Sequence, residues 1–347
     1  MKTLSYTVRF LTPAFLGNAE QSGQWRTPPF KALLRQWWRV AVAEEMKFNV
    51  GAIREREGKL FGVAADSGDS RQSQIRIRLS QWSIGKLDNW NGLDTSRVEH
   101  PEVKNKEGRL TPVGAHLYLG YGPLVFASGG TSLKKNAAIQ TGEEATLSFA
   151  FPDEHAQEIE TALWLMDRYG TLGGRSRNGW GSFTLLPVDG APRLTEPASK
   201  PIRDWRQALA LDWPHALGAD AHPLVWRTEA HSDWKALMKA LAVIKIGLRT
   251  HFKFTSGKSA PAPEQRHWLA YPVTNHSVST WGNNARLPNS LRFKARQDTD
   301  GKLRGVIFHV PCKPPAQFRP DTETLIKVWQ QVHRDLDANQ SLRRIAE

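Results

Sequence analysis

Residues 170–183, GTLGGRSRNGWGSF, hold five glycines and two arginines in fourteen positions. Upstream, Asp153 supplies an N-cap, Ile159, Leu163 and Met166 continue a helical stripe from Ala156, and Gly170 stops it. Downstream, WGSFTLLPV (180–188) reads as a strand. The glycines therefore join a helix to the strand that follows it. That order excludes a dinucleotide loop, in which the pyrophosphate meets the N-terminus of a helix following the glycines. Walker A fails as well: Gly174 and Gly179 have its spacing, but Trp180 and Gly181 stand where Lys and Ser/Thr are required. The aromatic strand motif of RNA-recognition domains is broken at Asn178, Ser182 and Thr184, so Trp180 and Phe183 are expected in the core. What remains is a loop whose backbone N–H groups at Gly173, Gly174, Gly179 and Gly181, with Arg175, Arg177 and Asn178 alongside, suit a sugar-phosphate chain followed closely without reading its sequence. A tight helix-to-strand return would account for the glycines; it accounts less easily for the arginines.

Working outward, residues 2–11 alternate as a strand, and a loop leads to Pro28 and Pro29 at the first turn of a helix predicted over 29–47. Phe30, Leu33, Leu34, Trp37 and Ala41 form its buried stripe. Lys31, Arg35 and Arg39 recur every four residues on another face, which is either a solvated edge or a cationic contact surface. IRIRLSQW (75–82) alternates as a strand. Residues 85–109 are polar and aperiodic, a binding loop or an insertion. Strands are expected at 114–121 and 144–151. GAPRLTEPASKP (190–201) has linker composition and divides the chain into modules 1–190 and 191–347. Beyond it, 233–249 reads as a helix through Trp234, Leu237, Met238, Leu241, Ile244 and Leu248. SLRFKARQDTDGKLRGVIFHV (290–310) is a hairpin turning at Asp300–Gly301, whose first strand presents Arg292, Lys294 and Arg296 on one face. A final helix is expected over 321–338.

The chain has 347 residues and a formal net charge of +13, which favours polyanionic partners. Residues 191–347 contain 24 Lys/Arg against 14 Asp/Glu, and residues 1–190 contain 23 against 20, so most of the excess is C-terminal. No apolar run is long enough for a membrane helix and no signal peptide opens the chain, so no membrane partner and a cytoplasmic address are expected. One cysteine, Cys312, excludes an internal disulfide and a thiolate zinc site.

A strand, then TPAFLGNAEQ (12–21), PPFKALLRQWWRVA (28–41), LFG (60–62) and, far downstream, GTLGGRSRNGWGSF together resemble the RAMP superfamily of CRISPR systems, most closely the first RAMP subunit of type III-B (Cmr) effector complexes. Lys31, Arg35, Trp37, Trp38 and Arg39 match the family's K-x-x-x-R-x-W-W-R helix. Gly170, Gly173, Arg175, Gly179 and Gly181 match its G-x-x-G-x-R-x-x-x-G-x-G loop. LPNSLRFKARQ (287–297) is similar to a later S-P-L segment, with Asn289 in place of the proline. The resemblance implies an α+β fold of two ferredoxin-like modules in tandem. It also implies partners: CRISPR guide RNA, held near its 3′ end, target single-stranded RNA, and the other RAMP subunits of the complex. The C-terminal half departs from the pattern in lacking a second glycine-rich loop with arginines, and the Arg292, Lys294, Arg296 strand is the candidate substitute.

Catalysis is not expected. RAMP relatives that cleave RNA carry a metal-holding aspartate in the loop after the first strand; this chain has Glu20 there. None of its eleven histidines falls in a metal-binding pattern, and His116 and His155 read as strand and helix-edge residues. No serine or cysteine nucleophile has a supporting motif. The sequence therefore indicates no catalytic residue, metal or cofactor; the alternative is a RAMP-type endoribonuclease acting through Glu20 or a histidine.

Overall fold

The computed structural model describes all residues except 65–69, 95, 128, 136, 189, 283 and 347. It resolves into two units. The first comprises 1–93, 120–201 and 294–303, and the second 94–119, 202–293 and 304–347. Two stretches, 94–119 and 294–303, thus cross the division near residue 190 expected from composition.

In the first unit, β1 (Lys2–Phe10) leads to α1 (Thr27–Val42) and α2 (Val50–Phe61), then β2 (Arg76–Leu79), the paired strands β3 (Leu124–Ala127) and β4 (Gly130–Leu133), β5 (Glu144–Phe151), α3 (Ala156–Tyr169) and β6 (Phe183–Pro187). The main sheet runs β2-β5-β1-β6, every neighbour antiparallel. Taking β2 and β5 as second and third strands, this is the βαββαβ order of a ferredoxin-like fold, with α2 and the β3–β4 hairpin as additions. Register follows from alternation. Leu4, Tyr6, Val8 and Phe10 of β1 and Ala145, Leu147, Phe149 and Phe151 of β5 are buried, and α1 packs against α3. Helix α1 begins at Thr27 with prolines in its first turn but ends at Val42, short of the predicted 47; the chain continues in turns to Lys47 and Phe48, whose positive φ is incompatible with a helix there.

The rest of the chain forms β7 (Val225–Thr228), α4 (Trp234–His251), β8 (Leu291–Gln297), β9 (Leu303–His309), α5 (Thr322–Asp337) and β10 (Leu342–Arg344), all in the second unit except Lys294–Gln297 of β8 and Leu303 of β9, which count with the first. Its sheet runs β8-β9-β7-β10, so the same second-third-first-fourth strand order recurs. Leu237, Met238 and Leu241 of α4 and Leu325, Val328 and Val332 of α5 are buried.

One expectation is overturned. Residues 114–121 are not a strand: only Val113–Gly114 is extended, and Ala115–Gly120 is a helical turn. Asp94 accepts from the N–H groups of His116 (3.4 Å) and Leu117 (3.2 Å), satisfying donors at the helix start. His116 is accordingly a buried helical residue 3.5 Å from Asp94, and desolvation lowers its pKa despite that carboxylate.

Candidate nucleic-acid interface

Helix α1 separates its side chains by burial. Phe30, Leu34, Trp37 and Trp38 are fully buried, so both tryptophans belong to the core. On the other face Lys31, Arg35 and Arg39, with Thr27, Gln36, Phe61, Ile75 and Ile77, line a groove of about 740 Å³. Glu57 of α2 organises two of the cations. Its carboxylate accepts from Arg35 Nε and Arg39 Nε, and from Arg39 Nη2 at 2.7 Å. Burial opposes ionisation of Glu57, whose side chain is 3% exposed, but the hydrogen bonds and charge of Arg39 and Arg35 outweigh it and hold the carboxyl below the usual range. Both arginines keep about two-fifths of their surface (41% and 42%) in solvent. Burial, then the charge of Arg35, lowers the Lys31 pKa. Three cations against one carboxylate leave the groove net positive.

The glycine loop is built differently from the sequence expectation. Gly173, Gly179 and Gly181 have φ of +90°, +91° and +65°. A Cβ at Gly173 would stand 2.6 Å from the carbonyl oxygen of Phe15, and one at Gly181 would overlap that of Leu172. The close approach these glycines permit is to the chain itself. Gly174 N–H donates to Phe15 O (2.9 Å), Gly179 to Ser176 O (3.1 Å) and Gly181 to Pro13 O (2.8 Å). Thr12 Oγ1 and Ser182 Oγ both donate to Gly179 O at 2.8 Å. Three of the four N–H groups expected to face a phosphate chain are thus spent on the 12–16 segment and the loop itself. Asn178 is buried, its N–H donating to Arg175 O. Trp180, also buried, packs against Phe15 (5.3 Å) and Trp90 (5.6 Å), and Phe183 against Phe10 and Phe30. The loop's cations remain outward: Arg175 is exposed and Arg177 half-buried. Arg175 holds φ +56°, a left-handed conformation unusual for a residue with a Cβ, and its Nε donates to Tyr121 O.

The cationic strand face is corrected outright. Arg292, Lys294 and Arg296 are 7%, 0% and 8% exposed. Lys294 Nζ donates to the carbonyls of Met166 (3.4 Å) and Asp167 at the C-terminal end of α3, and lies over the Phe183 ring at 4.6 Å. Helix ends leave such carbonyls without intrahelical partners, and an ammonium there also meets the negative end of the helix dipole. Desolvation nevertheless brings its pKa down to about 7.

Glu20 is exposed in the first loop. His155 sits beside Glu158 and Glu154 at the start of α3. His309 and His333 join through ring nitrogens at 3.0 Å, and Ser290 Oγ lies 3.0 Å from His309 Nε2; both rings are buried among Trp226, Trp205 and Trp329. Among the described residues no group of three or more His, Cys, Asp or Glu is placed to hold a metal ion, and no helix is long and apolar enough to cross a membrane. Among the described residues ten of the fourteen tryptophans are buried, while Trp82, Tyr121 and Phe126 are the exposed large aromatics. Tyr121 and Phe126 carried no signal in the sequence, because YGPLVFA reads equally well as a core strand.

The fold is α+β, with two ferredoxin-like modules and a helix-to-strand glycine loop packed against the first βα connection, and residues 7–184, 178 of the 347, match the RAMP superfamily. The chain belongs to that superfamily. It is similar to the CRISPR system Cmr subunit Cmr1-2 of Pyrococcus furiosus, with 20% identity over 191 residues, covering 52% of this chain and 93% of that protein. Among solved structures it is similar to apo Cmr1 from Pyrococcus furiosus (TM-score 0.46, 13% identity, 95% of this chain and 97% of that one). A chain of the type III-B Cmr-beta complex bound to cognate target RNA and AMPPnP in the presence of ssDNA is also similar (TM-score 0.49, 11% identity, 95% and 99%).

Proposed function

We propose that this chain is a non-catalytic RNA-binding subunit of a type III-B CRISPR effector complex, working in the cytoplasm beside other RAMP subunits. It would contact guide RNA near its 3′ end, captured target RNA, or both, through the sugar-phosphate chain. The observation that carries this reading is the α1 groove, where Lys31, Arg35 and Arg39 line one surface and a buried carboxylate fixes two of them. Such cations bind phosphates without reading bases. Arg175 and Arg177 of the glycine loop extend the same chemistry; Gly173, Gly174, Gly179, Gly181 and Asn178 shape the loop that carries them. Arg292, Lys294 and Arg296 are left out of the contact surface because they are buried. Superfamily membership and the likeness to a Cmr subunit support the assignment to a type III-B complex.

The test is an end-labelled single-stranded RNA incubated with the purified chain and Mg²⁺, then divided between native and denaturing gels. The expected result is a shifted, intact RNA whose affinity falls with salt. Lys31→Gln with Arg35→Gln should reduce the slope of log affinity against log salt by about 0.7 for each phosphate no longer neutralised, whatever the RNA sequence. Shorter products that disappear in Glu20→Ala would make the chain an endoribonuclease. An unchanged slope would remove the groove from the interface.

A further inference from the structure

The RNA reading leaves a second groove of the first unit without a role. It measures about 270 Å³ and is walled by Phe15, Gly17, Gln21 and Gly23 on one side and by Gly122, Pro123, Leu133, Lys134, Lys135 and Ala137 on the other. The second wall is the root of the β3–β4 hairpin. Along that hairpin Leu124 is fully buried, whereas Phe126, two residues on and on the same face, is 60% exposed, as is Tyr121 immediately before Gly122. An aromatic ring left mostly in water is an uncommon use of apolar surface, and two on one short segment mark a contact site.

The charges around the groove agree. Lys134 and Lys135 are exposed in its wall. The Arg175 guanidinium reaches it from the glycine loop: Nε donates to Tyr121 O, and Nη2 lies 3.4 Å from where a Cβ on Gly122 would be. Among the described residues seven non-glycines have positive φ, and two of them, Gln21 and Ala137, line this groove, while a third, Arg175, reaches Tyr121 O and Gly122 at its edge. Strain of that kind persists where surrounding structure enforces it, and it concentrates at ligand contacts.

We propose that the β3–β4 hairpin binds single-stranded RNA: the groove at its root receives one unpaired nucleobase, Tyr121 and Phe126, which lie beside the groove and not in its wall, stack on the neighbouring bases, and Lys134, Lys135 and Arg175 hold the flanking phosphates. The volume lies below that of pockets for drug-sized ligands and admits a single base, not a duplex. Rings that stack combined with cations that neutralise phosphate are the recurring chemistry of single-strand binding. The inference rests on the RNA-binding reading and deepens it, because the α1 groove supplies charge without aromatic surface exposed to bases.

The test uses the full chain and an oligouridine with interspersed 2-aminopurine, whose fluorescence is quenched when its base stacks on an aromatic ring. The intact chain should quench it on binding. Tyr121→Ala with Phe126→Ala should weaken binding about five- to a hundredfold and abolish quenching, while Tyr121→Phe retains both. Lys134→Gln with Lys135→Gln should lower the salt slope with quenching kept. Both aromatic side chains are mostly in solvent, so the alanine variant should unfold at the same urea concentration as the parent. Binding and quenching unchanged in that variant would overturn the base site, leaving the aromatics to a protein partner and the RNA reading intact. No binding by the parent chain would overturn the RNA reading and this site together.

Discussion

Replacing Gly181 by alanine separates the architectural role of the glycine loop from any part it plays in binding. Gly181 has φ +65°, a region that costs an L-residue roughly 1–2 kcal/mol. The new methyl would overlap the carbonyl oxygen of Leu172 and stand 2.9 Å from its carbonyl carbon. Relief requires one backbone segment to move, which jeopardises the Leu172 N–H to Gly181 O (3.0 Å) and Gly181 N–H to Pro13 O (2.8 Å) hydrogen bonds. Each contributes about 0.5–1.5 kcal/mol, so the total loss is about 2–5 kcal/mol. The comparison is Gly174→Ala, where φ is not left-handed and the nearest atom, Pro123 Cγ at 3.1 Å, belongs to a side chain; about 1 kcal/mol or less is expected there. Urea unfolding followed by tryptophan fluorescence measures both, with an unchanged m-value indicating an unchanged unfolding transition. Equal losses in the two variants, or a Gly181→Ala loss under about 1 kcal/mol, would refute the argument that backbone crowding against residues 13 and 172 demands glycine.

Glu57→Gln should destabilise the chain by about 1–2 kcal/mol, less than for a fully buried charge pair because Arg35 and Arg39 are two-fifths exposed; a loss too small to measure in urea would mean that water already satisfies the arginines. Lys294, with a folded pKa of about 7 set mainly by burial, should make stability rise with pH. Between about pH 7 and 10.5 the unfolded chain binds a proton that the folded chain lacks, so the gain approaches about 1.4 kcal/mol per pH unit, and Lys294→Met should lose that slope in pH-dependent denaturation. His333, lowered to about 3 chiefly by burial, and His309, lowered well below the ordinary range by burial and then by His333, act at the acid end. Their contribution is complete above about pH 6.5 and lost as pH falls below it, each group steepening the acid limb by up to about 1.4 kcal/mol per unit; a limb unaltered in His333→Gln would contradict this.

What the sequence disclosed was local. The alternation of β1, the apolar stripes of α1, α3 and α4 and the Asp300–Gly301 turn each depend on residues close along the chain, and those elements form in the expected places, α1 ending five residues early. The errors arose where distant groups decide. Arg292, Lys294 and Arg296 alternate as a solvated face would, yet the Lys294 ammonium finds the carbonyl of Asp167, 127 positions away. Ala115–Gly120 looks extended until Asp94 caps it. The glycine loop's arginines could be read from the sequence, but not the destination of its N–H groups, since Phe15 and Pro13 accept from a segment more than 150 residues distant. In the α1 groove the three cations were legible and their carboxylate partner was not, because Glu57 lies on another helix. The exposure of Tyr121 and Phe126 was not legible, because nothing in YGPLVFA separates a ring left in solvent from one in the core.

The exchange of stretches 94–119 and 294–303 between the two units bears on how the chain is made. On a ribosome the first unit's sheet is complete by residue 187, while the last ten residues that count with it arrive about a hundred positions later. The second unit, for its part, depends on a segment synthesised long before any of its strands. Severing the gene at the linker would therefore part each unit from a stretch that counts with it, and recombination between relatives at that point alone would pair 94–119 and 294–303 with units from another parent.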